Sequence, residues 1–154
     1  MKNDKGISLV ALVITIVLLL ILASITVFSI GSYTNAGRFN KMKADIELLN
    51  DKIMIYYKKY GELPVLEEIG TALAINTLGD QRAQNDSDVY YKIDLEKLSN
   101  LTLTYGNGRY GSDDIYIINS TTFNVYYLKG VELQGKTHHI GKRYEGTLSP
   151  KSSE

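Results

Sequence analysis

The stretch that decides the fold lies near the N-terminus and reads ISLVALVITIVLLLILASITVFSI from Ile7 to Ile30. It is apolar apart from serine and threonine, and no charged side chain occurs between Gly6 and Gly37. A helix of this length extends about 36 Å, which exceeds the roughly 30 Å hydrocarbon core of a bilayer. Because so much apolar surface is unstable in water, we expect it to sit in a membrane or to pack against other copies of the chain.

The composition excludes several classes of function. The chain has 154 residues and no cysteine, which excludes disulfides and thiolate metal sites. Seventeen basic residues balance 17 acidic ones, so the charge does not indicate nucleic acid as a partner. The sequence shows no phosphate-binding glycine motif and no spacing of nucleophile and base. We therefore expect neither an enzyme nor a bound cofactor.

Two general interpretations of the N-terminus follow from the residues. The apolar run is too long for the core of a cleaved secretory signal. An uncut single-pass anchor is an alternative, because Lys2 and Lys5 favour a cytoplasmic N-terminus under the positive-inside rule. The protein would then be a monomeric, membrane-anchored extracytoplasmic binding module.

A more specific interpretation rests on residues 5–13, which read KGISLVALV. They resemble the N-terminal signature of type IV pilins and pseudopilins. The resemblance implies that a prepilin peptidase cuts between Gly6 and Ile7, and that the new amine on Ile7 is methylated. It also implies that the chain is a structural subunit of a type IV pilus or pseudopilus, in a system for surface fibres, secretion or competence. The residues assigned to assembly are Leu9, Val10, Ala11, Leu12 and Val13.

The same resemblance implies partners and a location. The partners are other copies of the chain, other pilins or pseudopilins, the prepilin peptidase, the cytoplasmic membrane and the pilus assembly platform. The precursor would be held in the cell membrane with its N-terminus inside, and the mature subunit would lie in an extracellular filament. The family usually carries glutamate at the fifth mature position, where this chain has Ala11. That carboxylate is thought to pair with a neighbouring subunit's terminal amine, which Ala11 cannot do.

Beyond the apolar run, the sequence predicts that the helix continues with one apolar stripe. Apolar residues recur at steps of three and four, namely Phe39, Met42, Ile46, Leu49, Ile53, Tyr56 or Tyr57, and Tyr60. Charged residues, Asp45 among them, fill the other positions, and the lysines are expected to form a solvated face. Gly61 and Pro64 then end the helix.

The remaining sequence predicts a small α+β head. We expect a short helix over Val65–Ala74, a helical turn capped by Asp94, and a turn cluster over residues 105–111. Three strands are predicted, over Asp114–Ile118, Phe123–Leu128 and Val131–His139, with a bulge or break at Gly135.

The predicted fold class is therefore α+β and pilin-like. A long N-terminal α-helix, with a transmembrane half and an amphipathic half, would pack on a small antiparallel β-sheet. The predicted divisions are a leader (1–6), a transmembrane or filament-core helix (7–30), its amphipathic continuation (31–60), a globular head (61–146) and a flexible tail (147–154).

No metal site is predicted. Asp113 and Asp114 are the weak candidates for Ca²⁺ ligands, but no EF-hand-like spacing surrounds them. His138 and His139 are neighbours on a predicted strand, where their side chains would point to opposite faces. We expect them to be ordinary surface histidines.

Overall fold

The computed structural model describes residues 9–81 and 88–140, with backbone alone for residues 24–33, 75 and 80. The helices are α1 (Leu9–Tyr60) and α2 (Thr71–Leu78), with 3₁₀ turns at Gly79–Gln81 and Leu95–Lys97. The strands are β1 (Val65–Ile69), β2 (Tyr90–Ile93), β3 (Tyr116–Asn119), β4 (Val125–Tyr127), β5 (Val131–Leu133) and β6 (Lys136–His138).

The second half of α1 forms the spine of the head. The middle of its predicted stripe is fully buried, whereas the last residue of the stripe, Tyr60, is 56% exposed. The buried residues are Met42, Ile46, Leu49 and Ile53. The helix ends as predicted, because Gly61 adopts a φ of 73° and its N–H donates to the carbonyl of Tyr57 over 2.8 Å. Glycine reaches this left-handed conformation without a steric penalty.

Two antiparallel sheets complete the head. The larger has the strand order β1-β2-β3-β4, and the smaller is the β5-β6 hairpin. The hairpin is joined to β4 by a hydrogen bond of 2.8 Å from the N–H of Tyr127 to the carbonyl of His139. One buried cluster lies between α1 and the sheets, and a second, around Ala74 and Leu78 of α2, packs with Ile117 and Tyr126. The larger sheet is therefore covered on both faces.

The predicted helix over Val65–Ala74 is wrong in its first half. Residues Val65–Ile69 form β1, and α2 begins only at Thr71. Although β1 follows shortly after α1, its residues pair with β2. The register matches Val65 with Ile93 and Ile69 with Tyr90. Strand pairing thus overrides a helical preference that the local sequence alone suggests.

The other predictions for the head are partly confirmed. Asp94 caps its 3₁₀ turn by accepting from the N–H of Glu96, and β3 and β4 overlap the predicted strands. The predicted break at Gly135 is confirmed, because Gln134 and Gly135 both have positive φ and divide the predicted strand Val131–His139 into the hairpin of β5 and β6. Strand β2 was not predicted.

The predicted fold class is wrong as stated, although the head is α+β. Among the described residues, no helix is long and apolar enough to cross a membrane. The apolar part of α1 with described side chains is short and runs only from Leu9 to Ala23, or about 22 Å of helix. The head also contains two sheets rather than one.

Part of the predicted organisation lies outside the described residues. This applies to the leader (1–6), the tail (147–154) and the proposed cleavage site between Gly6 and Ile7. The division of the chain into these parts stays a prediction.

Candidate assembly surface

The first turns of α1 carry the residues that the sequence assigned to assembly. Leu9 is 77% exposed, and Val10, Leu12 and Val13 are also at least half exposed. Ala11 lies exposed among them. The exposure continues around the helix, and the other large apolar side chains that share it are Ile14, Ile16, Val17, Leu18, Leu19, Leu20, Ile21 and Leu22.

This surface offers few polar groups to water. The hydroxyl of Thr15 donates to the carbonyl of Leu12 over 2.7 Å, within the helix itself. A helix that is apolar on every side is stable only when other apolar groups surround it. The head of the same chain supplies none of that cover, because its core begins further along α1, at Phe39 and Met42. We call residues 9–22 the apolar stalk.

The head is fixed to α1 by a buried carboxylate. Asp45 is only 5% exposed, although it lies outside the predicted apolar stripe. One of its oxygens accepts from the N–H groups of Thr104 and Tyr105, over 2.9 and 3.0 Å, and from the hydroxyl of Tyr116 over 2.9 Å. Burial, together with the Asp45 charge, raises the pKa of Tyr116 far above its usual value, so this hydroxyl stays a donor.

Asp114 has a matching role on the other side of the same loop and is not exposed to solvent. Its oxygens accept from the N–H of Gly106 over 2.6 Å, from the N–H of Tyr110 over 3.0 Å and from the hydroxyl of Tyr127 over 2.8 Å. Burial alone would raise its pKa, but these hydrogen bonds and nearby Lys129 lower the pKa overall.

The two aspartates named as weak Ca²⁺ candidates therefore do not converge on a shared site. Asp114 is occupied by the loop, and Asp113 is an exposed partner of Lys129, with its Oδ1 3.2 Å from the ammonium. Within residues 9–81 and 88–140, no group of three or more acidic, histidine or cysteine side chains could hold a metal ion.

The histidines differ from the sequence prediction. His139 is 5% exposed, with its Nδ1 2.9 Å from the carbonyl of Tyr127, and burial lowers its pKa. His138 packs edge-on against Phe39, with ring centroids 5.3 Å apart. The two rings thus pack in different places, and the prediction that both are ordinary surface histidines is wrong for buried His139.

A groove lies beside the point where the head begins. It encloses about 300 Å³, and we call it the tyrosine groove. Its principal lining residues are Arg38, Tyr105, Tyr110, Tyr127, Lys129 and Glu132. Tyr105 stacks on Tyr127 with ring centroids 5.2 Å apart. Lys129 donates to the carbonyl of Tyr110 and to Asp113.

The sequence analysis did not single out this groove. Its residues come from three separate segments, namely α1, the 105–111 turn and the β4-β5 connection, so no local pattern groups them. The chain has 12 tyrosines, and this abundance is the sequence feature that could have indicated a tyrosine-lined surface. Arg38 is exposed and has no ion-pair partner among the described residues.

Comparisons with known proteins add no family assignment. No protein-family model, no curated protein and no solved structure matches this chain. The resemblance of residues 5–13 to prepilins is thus the source of the functional expectation.

Proposed function

We propose that this chain is a structural subunit of a type IV pilus or pseudopilus filament, matured by prepilin peptidase cleavage after Gly6. The observation that carries the proposal is the exposed apolar stalk, in which Leu9 and Leu19 are 77% and 65% exposed. A single chain leaves this surface uncovered, and stalks of neighbouring copies would cover it.

Packing between stalks would contribute to holding such a filament together. Fully burying one leucine, isoleucine or valine side chain contributes about 1.5–3 kcal/mol. A single neighbour that half-buries about four of these side chains would therefore contribute about 3–6 kcal/mol relative to water, before the cost of association. Small side chains such as Ala11 and Ala23 allow helices to approach closely.

The location and partners belong to the same proposal. The precursor would be membrane-held, would be cut by the peptidase and would join its own copies or related pilins through the assembly platform. The mature subunit would then lie in a fibre at the cell surface. The monomeric anchored module is the competing function, and it differs in keeping the N-terminus uncut.

The test is the mass and N-terminal residue of the mature protein, made in cells that contain a prepilin peptidase. A chain beginning at Ile7, with or without a methyl group, is the expected result. A chain that still begins at Met1 or Lys2 contradicts the proposal and favours the anchored module.

A substitution at Gly6 tests whether cleavage at this position is needed for assembly. Gly6→Trp should abolish both cleavage and recovery of the protein in sheared surface fibres, because the bulky ring occupies the cut site. The matched control is Gly37→Ala, since a Cβ added at Gly37 meets no atom within 4 Å. This control should be cut and assembled like the wild type.

A further inference from the structure

Strand β1 carries exposed side chains at the edge of the larger sheet. Along β1 the three consecutive residues Leu66, Glu67 and Glu68 are all exposed, and Leu66 is 58% exposed. A regular edge strand would alternate between the two faces. The pairing with β2 is irregular between Val65 and Glu68, and such bulges redirect side chains. We call Leu66–Glu68 the acidic edge.

The two carboxylates of the acidic edge, on Glu67 and Glu68, differ in their ion pairing. Glu67 lies 3.9 Å from Lys92 of the same chain. Glu68 has no ion-pair partner among the residues that the structure describes, and it stands on the outermost strand of the larger sheet. Glu68 is therefore available to a cation of another molecule.

The tyrosine groove is at the opposite edge of the head. It is built where β4 passes into β5, while β1 and β4 are the two outer strands of the sheet. Three inter-strand spacings separate them, or about 14 Å, with β2 and β3 between. The acidic edge of one chain therefore cannot fill the groove of the same chain.

The two surfaces match in chemistry. The groove offers the guanidinium of Arg38, which has no ion-pair partner within residues 9–81 and 88–140, and the ring of Tyr110, which is 48% exposed. The acidic edge offers a carboxylate at Glu68 and an apolar side chain at Leu66. Arginine binds a carboxylate through two parallel N–H groups. Glu132 also lines the groove, so Arg38 is the group in this pair of surfaces that attracts a carboxylate.

We propose that the acidic edge of one copy docks in the tyrosine groove of the next copy, with Glu68 on Arg38 and Leu66 against Tyr110. The inference rests on the proposed function, because it describes how neighbouring heads in the filament meet. The two surfaces are different and lie on opposite edges. Repetition of such a heterologous contact gives an open chain of subunits rather than a closed dimer.

Cross-linking tests the contact directly, because the natural chain has no cysteine. The full-length double variant Arg38→Cys/Glu68→Cys is expressed in cells that assemble the fibre and is treated with a short bismaleimide. We expect a ladder of dimers, trimers and longer species on a denaturing gel. Each single variant should run as a monomer, because its cysteine lies opposite a residue of the neighbouring copy that is not a cysteine.

The matched control is Arg38→Cys/Glu47→Cys. Glu47 is also acidic and its side chain is 61% exposed, but it lies on α1 away from β1. This pair should give no ladder. The proposal is overturned by an equal ladder from the control, by a dimer from Arg38→Cys alone, or by no ladder in recovered fibres.

Charge exchange provides a second readout. Arg38→Glu and Glu68→Arg should each lower the yield of sheared fibres by about tenfold, because like charges then face each other. The double exchange should restore the yield to within about twofold of the wild type. A double variant no better than the single variants overturns the contact.

Failure of this inference can be told from failure of the proposed function. If chains beginning at Ile7 are recovered in fibres but neither the ladder nor the rescue appears, the proposed function stands and the head contact is wrong. If the chain keeps Met1 and no fibre forms, the proposed function itself is wrong.

Discussion

Replacing Asp45 with alanine should detach the 104–106 loop from α1. The substitution leaves three donors without their acceptor, namely the N–H groups of Thr104 and Tyr105 and the hydroxyl of Tyr116. A hydrogen bond to a charged group contributes about 1.5–3 kcal/mol. Partial relaxation of the loop toward water recovers some of the loss, so we expect destabilisation of about 3 kcal/mol. That is a large share of the roughly 5–15 kcal/mol typical of a folded domain.

The assay is urea unfolding of the full chain in a mild detergent, followed by near-UV circular dichroism of its 12 tyrosines. With a slope of about 1.5 kcal/mol per molar urea, a loss of 3 kcal/mol moves the midpoint by about 2 M. Tyr116→Phe removes one of the three donors and should cost about 1.5 kcal/mol, the lower end of that range. The double variant should lose less than the sum of the two single losses, because the shared bond is counted once.

A matched surface variant completes this experiment. Glu47→Ala removes an exposed carboxylate whose ion pair with Lys43 spans 3.9 Å, and it should cost less than about 0.5 kcal/mol. If Asp45→Ala were no more destabilising than Glu47→Ala, the argument that a buried carboxylate fixes the head to α1 would be refuted.

Four further predictions follow from particular contacts. Ile46→Ala, at a side chain with no exposure, should lower the free energy of unfolding by about 2–5 kcal/mol in the same assay. Asp114→Asn should reduce the amount of unfolding free energy that is lost in acid, because the pKa of Asp114 is lowered in the fold. The stabilisation from this carboxylate is complete above about pH 4 and is lost as the pH falls through the folded pKa. Unfolding titrations at pH 3 and pH 6 would show a smaller difference for the variant than for the wild type. Gly106→Ala should destabilise the head more than a typical surface change, because its φ is +82° and the new Cβ would lie 2.2 Å from the Tyr116 ring; a near-normal urea midpoint would contradict this. Leu19→Asp should abolish recovery of fibres, whether the stalk meets lipid or other stalks, and unchanged yield would show that the stalk is not buried in the assembly.

Periodicity predicted the parts of the fold that depend on local sequence. The stripe through Met42, Ile46, Leu49 and Ile53 is buried as expected, and Gly61 ends the helix. The 3₁₀ cap at Asp94 is likewise readable from a short polar residue before a helical turn. Each of these features is decided within about one or two helical turns.

The errors arose where distant segments decide the structure. Asp45 lies outside the predicted apolar stripe of α1, yet it is buried because the loop at Thr104 brings three donors onto it. Strand β1 exists because β2 pairs with it, and β2 itself was not predicted. The tyrosine groove combines residues more than 60 positions apart in the chain, from Arg38 to Tyr105 and beyond. None of these contacts has a local sequence pattern.

Ala11 bears on how the proposed head contact would act in a filament. Apolar packing between stalks is strong but non-directional, so the stalk surface around Leu9 and Leu19 permits many axial offsets between neighbouring copies. In the family that this N-terminus resembles, a carboxylate near the start of the helix is thought to fix that offset, and Ala11 cannot. Under the proposed function, a polar contact between heads would fix the register instead. An Arg38–Glu68 pair between opposite edges of adjacent heads has the needed direction, because a misplaced neighbour leaves the guanidinium without its carboxylate. On this argument, restoring glutamate at position 11 should make fibre yield less sensitive to Arg38→Glu, and equal sensitivity in both backgrounds would mean that the head contact does not set the register.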